Sequence, residues 1–505
     1  MLRIARPAAV TLALIGAAAL VLHASESDAT RYDAELQYQL ATVLFDETRY
    51  KEAMEAFRRA TTATMDPALA LRSRKGRVRS ALRGAEFALA RAEAESLRND
   101  MPRDDEVLAL HGDSLWGAGL FDESDVAYED ALAMNPASSR ARFGVARSLA
   151  TRNRLEDALR EALASSAAAP RDAEIHHAVG DIYERMHRYD EAANAYTNYI
   201  NLLPNRDRSD KAAWSRAQVR FLKAFAGKVP AQIDGDGAER LHTVPFRLIK
   251  DKIIVQGRVN GGRVQDFVLD TGSEETVISR QTASRAGVSP ITYTLSAGVG
   301  EIGLRGLQLG RLDSLDIGTL KIRNLPVLIK NPALRGLPKR EGESFSPLSL
   351  GMSMTIDYQK RLLTIAKNLP DSEADFRLPM RIHRLAMVRG MLNSTRAAYF
   401  VIDTGGEVIS ISADTADTLE TRAPRRIPLK VYGTSGWDRD AFLLPGVNLN
   451  FATIEYRNFP VVVLNLRAPS VLLGFQLGGI VGHKFLGKYR VAMDLARSEL
   501  RLDEF

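Results

Sequence analysis

The stretch "FVLDTGSEETVIS" runs from Phe267 to Ser279, and "FVIDTGGEVISIS" runs from Phe400 to Ser412. Asp270 and Asp403 each stand behind apolar residues and ahead of Thr-Gly. The repetition extends outward on both sides. "VPFRLIKDKIIVQGRV" opens at Val244 ahead of the first Asp, and "LPMRIHRLAMVRGML" opens at Leu378 ahead of the second, at nearly the same remove. Downstream, Leu350-Gly351 and Val481-Gly482 follow their aspartates at nearly equal distances and read as counterparts. Short alternating or apolar runs such as "KIIVQGRVN" and "LKIRNLPVLI", divided by glycines, predict strands throughout this half. The chain carries the same β-rich unit twice.

The doubled Asp-Thr-Gly with its downstream apolar-Gly pair resembles the aspartic proteases, and each copy resembles one retropepsin lobe. The resemblance runs from the start of the first copy to the end of the chain. It implies an all-β, two-lobed acid-protease fold in a single chain, with lobe 1 over 243–370 and lobe 2 over 371–505. It implies an aspartic endopeptidase acting on a polypeptide, with Asp270 and Asp403 as the catalytic pair. Two carboxyls held close share a proton, because like charges at short range cannot both ionise. One then serves as base toward water while the other polarises the scissile carbonyl. Thr271 and Thr404 are implied to exchange hydrogen bonds across the lobes. Gly272 and Gly405 let the turns bend without a Cβ clash. Ser273 is placed to donate its hydroxyl to Asp270, and Gly406 holds that position in copy two. Glycine-rich "GVGEIG" (Gly298, Val299, Gly300 and onward) suits a flap over substrate, and "VYGTSGW", with Tyr432 and Gly433, offers a second. No cofactor is expected. None of the eight histidines shows a metal-ligand spacing, and His483 reads as an exposed loop residue. The alternative is a catalytically inactive duplicate that binds peptides as part of an adaptor.

The first half follows another rule. Pro102, Pro136, Pro170 and Pro204 recur at one even interval, and Phe87, Phe121, Leu155 and Tyr189 stand at the same offset before each. Small residues at Gly112, Ala146 and Gly180 keep the same period. This pattern resembles the tetratricopeptide repeat, a helix-turn-helix unit of about 34 residues that stacks into an all-α solenoid. It implies five units over 30–205 and a groove that takes a protein partner or presents a substrate. A capping helix and a Pro/Gly/Asp-rich linker fill 206–242. "GDSL" at Gly112–Leu115 matches the start of a serine esterase motif, but it lies in repeat register, where Gly112 and Leu115 are packing positions.

The remaining composition narrows the function classes. Net charge is +6 in 505 residues, with no dense basic run, so nucleic acid is not an expected partner. There is no cysteine, which excludes disulfides and thiolate chemistry. Arg3 and Arg6 precede an apolar run at 8–22 and a small residue at Ala24. Residues 1–24 read as a secretory signal giving a periplasmic or secreted protein, or as a membrane anchor through 8–22. The polar stretch at Arg335–Pro347 reads as a solvated loop.

Overall fold

The computed structural model describes residues 32–204, 206–207, 209–235, 237–301, 303–330, 342–419 and 426–505. The run at 8–22 and the polar residues 335–341 lie outside the described residues.

Helices fill the first part in antiparallel pairs. The pairs are α1 (32–46) with α2 (Tyr50–Ala63), α3 (Pro67–Arg83) with α4 (Phe87–Asp100), and α5 (Asp105–Gly117) with α6 (Phe121–Met134). They continue with α7 (Ser139–Thr151) and α8 (Leu155–Ala168), then α9 (Ala173–Arg185) and α10 (Tyr189–Leu202), and α11 (Asp210–Lys223) closes the array. Local chemistry sets the boundaries. Asp104 accepts from the Val107 amide and Asp172 from the Glu174 amide, capping α5 and α9. The turn inside each pair holds a left-handed residue: Thr48 in the first, then Ala85, Gly119, Asn153 and His187 at the repeat interval, with φ of 63, 55, 73, 55 and 58°. Close packing then fixes the small positions. A Cβ on Gly112 would fall 2.6 Å from the Tyr128 ring, and one on Gly180 would fall 2.7 Å from Tyr196. The "GDSL" residues serve this packing. Asp113 is buried and accepts from Tyr128 Oη and from Arg147, and Ser114 Oγ donates to the His111 carbonyl within α5. The array curls until its ends meet. Arg83 reaches Glu174 at 2.6 Å, and Lys211 lies 5.2 Å from the Tyr50 ring centre. Among the described residues no helix is long and apolar enough to cross a membrane.

The β-rich part repeats one arrangement. In lobe 1, strand Val264–Leu269 runs antiparallel to Lys252–Val259 and parallel to Ser344–Phe345. In lobe 2, Arg396–Ile402 runs antiparallel to Leu385–Leu392 and parallel to Gly479–Val481. Leu269 pairs with Phe345, and Ile402 pairs with Val481. The register corrects one expectation. The counterpart of Val481-Gly482 is Phe345-Ser346, not Leu350-Gly351. Leu350-Gly351 instead ends a short 3-10 turn that follows. Phe345 is fully buried, so the polar stretch expected to be solvated closes on a core strand.

A run of six strands joins the lobes in one sheet. Lobe 1 gives His242–Pro245, Leu362–Ala366 and Ser353–Asp357; lobe 2 gives Tyr489–Asp494, Glu499–Glu504 and Phe376–His383. Met354 pairs with Met493 and Ile356 with Val491 at the junction. One hydrophobic core runs from Ala231 to Leu502 through both lobes. The linker expectation is also corrected. Gln232 and Ile233 pair with Arg323 and Ile322, adding an edge strand to lobe 1.

The array is seated on both lobes. Trp116 and Phe121 pack with Tyr399, Phe475 and Leu477 of lobe 2. Tyr189, Phe221 and Phe225 pack with Leu307, Leu309 and Leu328 of lobe 1. Beside the first seam lies Arg381, only 3% exposed. It donates to Asp122 and to Asp125 (2.6 Å), and to Ser148 and Thr151 at 3.2 and 3.3 Å.

Candidate active site

Each Asp-Thr-Gly follows its strand directly. The Asp270 amide donates to the Phe345 carbonyl and the Asp403 amide to the Val481 carbonyl, both at 3.0 Å. These paired bonds place both aspartates at matching corners. The threonines then lock the corners together. The Thr271 amide donates to Thr404 Oγ1 at 3.1 Å, and the Thr404 amide donates to Thr271 Oγ1 at 3.0 Å. Each hydroxyl donates onward, Thr271 to the Ile402 carbonyl (2.6 Å) and Thr404 to the Leu269 carbonyl (2.8 Å). Both threonines are buried, so this network excludes water and fixes the spacing of the lobes.

The glycines let the carboxylates meet. The Gly272 amide donates to Asp270 Oδ1 at 3.1 Å and the Gly405 amide to Asp403 Oδ1 at 2.8 Å. A Cβ on Gly405 would lie 2.7 Å from Asp270 Oδ1 and 3.1 Å from Asp403 Oδ1. A Cβ on Gly272 would strike Asp403 Cγ at 2.5 Å. The two carboxyls therefore crowd one small space that no larger residue could share. Burial, then the charge of Asp403, hold the Asp270 carboxyl well above the usual carboxylate range; Lys252, the Gly272 amide and Lys330 pull it back. Both aspartates keep partial exposure, so the pair is reachable.

The flap segments also meet. Strands Thr292–Ser296 and Arg305–Ile317 form a hairpin whose tip carries Gly298, Val299 and Gly300. Val431–Gly433 and Gly436–Asp438 form a second, smaller hairpin. The tips interlock: the Gly298 amide donates to Ser435 Oγ (3.1 Å), the Ser435 amide to the Val299 carbonyl (2.9 Å) and the Glu301 amide to the Trp437 carbonyl (2.9 Å). A Cβ on Gly433 would strike the Val299 carbonyl oxygen. Tyr432 lies against Trp437, with ring centres 5.1 Å apart.

Two expected roles are corrected. Ser273 Oγ donates to the Glu275 carbonyl at 2.8 Å rather than to Asp270, because the turn brings that carbonyl into reach. His483 is buried at 8% exposure, opens a short helix and lies 5.2 Å from the Tyr358 ring centre. Burial lowers its basicity. Two further groups escaped the sequence reading. Lys252 donates to the Gly405 carbonyl, and Arg384 of lobe 2 pairs with Glu274 of lobe 1 at 2.8 Å. Both reach across the lobe boundary, and no local pattern announces such contacts.

Comparison with known proteins divides the chain in the same way. Residues 255–354 match the aspartyl protease family model, and residues 34–64 match a tetratricopeptide repeat model. The chain therefore carries a tetratricopeptide segment followed by an aspartyl protease domain. A tetratricopeptide protein from Thermus thermophilus is 18% identical, covering 37% of this chain and 98% of its own, with a TM-score of 0.32. The aspartic proteinase of Irpex lacteus is 11% identical, covering 52% of this chain and 97% of its own, with a TM-score of 0.34. No curated protein matches.

Proposed function

We propose that the chain is an aspartic endopeptidase whose repeat array braces the two lobes and recruits a polypeptide on its remaining surface. The single observation that carries the reading is the reciprocal threonine lock beneath two carboxyls that share one space. A pair so placed holds one proton between two groups. The ionised carboxyl takes a proton from water as the oxygen attacks the peptide carbonyl carbon. The protonated carboxyl gives its proton to the carbonyl oxygen. The tetrahedral adduct then collapses: the C–N bond breaks, the amine leaves with a proton, and a carboxylic acid remains. The substrate would lie extended between the interlocked flap tips and the pair, so the tips must part to admit it.

The test is cleavage of a denatured protein mixture by wild type, Asp270→Asn and Asp403→Asn, each with and without a pepstatin-type inhibitor. Each substitution is expected to lower the rate by about 10³-fold, the scale of one lost acid–base partner. Equal cleavage by all three proteins ends the reading and leaves a peptide-binding adaptor. Export through residues 1–24 belongs to the same proposal. The mass of the mature N-terminus tests it: cleavage near Ala24 supports release, and an intact Met1 supports an anchor.

A further inference from the structure

The dyad sits in a nearly symmetric frame, with one charged exception. Strands Arg247–Ile249 and Lys252–Val259 form a hairpin in which Ile249 opposes Lys252. The two residues between, Lys250 and Asp251, both have positive φ, 50 and 59°. A two-residue turn of this kind matches the twist of the strands and fixes their register. Lys252 is therefore delivered at a set point, as the first residue of its strand. Its ammonium leaves lobe 1 and donates to the Gly405 carbonyl of lobe 2. The amide of Gly405 holds Asp403 Oδ1 at 2.8 Å. Gly405 is thus gripped from both sides, by the carboxylate it serves and by a cation from the other lobe.

Among the described residues lobe 2 offers no equivalent. Leu385 stands eighteen residues before Asp403, as Lys252 stands eighteen before Asp270. Its neighbour Arg384 turns to Glu274 instead. We propose that Lys252 is a positioning residue for the dyad, holding the Asp403–Gly405 turn and setting one positive charge beside the carboxyl pair. The proposal rests on the dyad reading above and deepens it. Asp270 feels this ammonium together with Asp403 and Lys330, and His483 of lobe 2 feels it together with Asp251 on the adjoining turn. Lys330 is a second cation near Asp270, while burial lowers the basicity of His483. The ammonium acts the same way on each ionisation of the pair. It favours the singly charged dyad over the neutral one, and the doubly charged over the singly charged. Both limbs of a bell-shaped profile therefore lie at lower pH than they would without it.

The experiment is the pH profile of kcat/KM on a peptide substrate for wild type, Lys252→Gln, Lys252→Met and Lys252→Arg, with a thermal melt of each. Lys252→Gln keeps a donor for the Gly405 carbonyl but no charge. Its two limbs are expected to move up together by on the order of 1 pH unit, as removal of a nearby cation requires. Lys252→Met should move them as far and also lower kcat, since the turn loses its tether. Lys252→Arg should restore the wild-type profile. A Lys252→Gln profile that overlays the wild type, or a Lys252→Arg profile that moves with it, overturns the proposal. Should Lys252→Met fail to fold, the Gln and Arg pair still decides. Wild type that neither cuts nor binds a pepstatin-type inhibitor overturns the dyad reading itself, and Lys252's role falls with it. Active wild type with an unmoved Lys252→Gln variant overturns Lys252 alone.

Discussion

Lobe 1 and lobe 2 place their strands alike and use the same strand positions differently. In lobe 2, Arg389 pairs with Tyr399 across the hairpin; in lobe 1 the matching pair is Gln256 with Asp266. Arg389 donates to Asp122 and Glu123 of the array, both at 2.6 Å, and Tyr399 Oη donates to Asp122. Asp266 instead meets Arg247 in solvent, each side chain about half exposed. Arg381 of lobe 2 stands where lobe 1 has that same Arg247. The corners that hold the carboxylates are near-identical in both lobes. On this strand face lobe 2 meets the array where lobe 1 meets solvent. Duplication thus preserved the chemistry twice and left the outer strand face free to become a docking surface once.

The sharpest way to break this comparison is Arg381→Met. The guanidinium is buried against two carboxylates, and removing it leaves Asp125 with Arg152 and Asp122 with Arg389 and Tyr399. Losing these charge-assisted bonds from a buried guanidinium should cost roughly 1.5–3 kcal/mol. Arg247→Met at the matching place in lobe 1 should cost about 1 kcal/mol or less, because its pair with Asp266 stands half in solvent. Chemical denaturation of both variants measures the contrast. Similar losses would mean that the Arg381 seam is not a structural anchor.

A smaller effect separates the two corners behind the aspartates. A Cβ on Gly482 would lie 2.6 Å from the Glu407 carbonyl carbon and 2.7 Å from the Val408 amide nitrogen. Both are backbone atoms of the turn after Asp403, so Gly482→Ala must displace that turn. About 1–3 kcal/mol of stability should go, as for other overpacking, with a fall in kcat/KM. Ser346 already carries a Cβ at the matching place, and its buried hydroxyl has no hydrogen-bond partner among the described residues. Ser346→Ala should leave stability unchanged or raise it slightly, because an unsatisfied polar group is removed. Two equal losses would erase the distinction between the corners.

Much of this was legible in the chain, for reasons that differ by region. The even proline period and the doubled Asp-Thr-Gly are local patterns repeated, so both halves of the fold could be read from them. The pairing of Leu350-Gly351 with Val481-Gly482 went astray because a glycine was sought in both copies. Lobe 1 has Ser346 there, and only the strand pairing of Phe345 with Leu269 reveals the match. The left-handed turn positions were hidden because Ala85, Asn153 and His187 hold them beside a single glycine, Gly119. Lys252, Arg381 and Arg384 were unreadable for a simpler reason: each acts on a residue far away in the chain.

The finest difference between the lobes concerns pH. Burial, and then the charge of Glu184 on α9, push the Glu275 carboxyl of lobe 1 well up, and the position matching Glu275 in lobe 2 is Val408. Glu184 accepts from Tyr196 Oη at 2.9 Å and from Gln218, with Asp181 and Arg384 also facing it. Burial, the largest cause, pushes its carboxyl up to about 7 from an ordinary 4.5. The folded chain then holds a proton that the unfolded chain has released between about pH 4.5 and 7. Stability therefore falls as pH rises through that window, and the lobe 1 seam alone should weaken. Glu184→Gln keeps an acceptor for Tyr196 and removes the charge. Its melting temperature should exceed that of wild type at about pH 8, by on the order of 1 kcal/mol in stability, and match it near about pH 4.5. A melting-temperature difference that stays constant across that range would show that Glu184 carries no such linkage. The array would then sit on both lobes with the same indifference to protons.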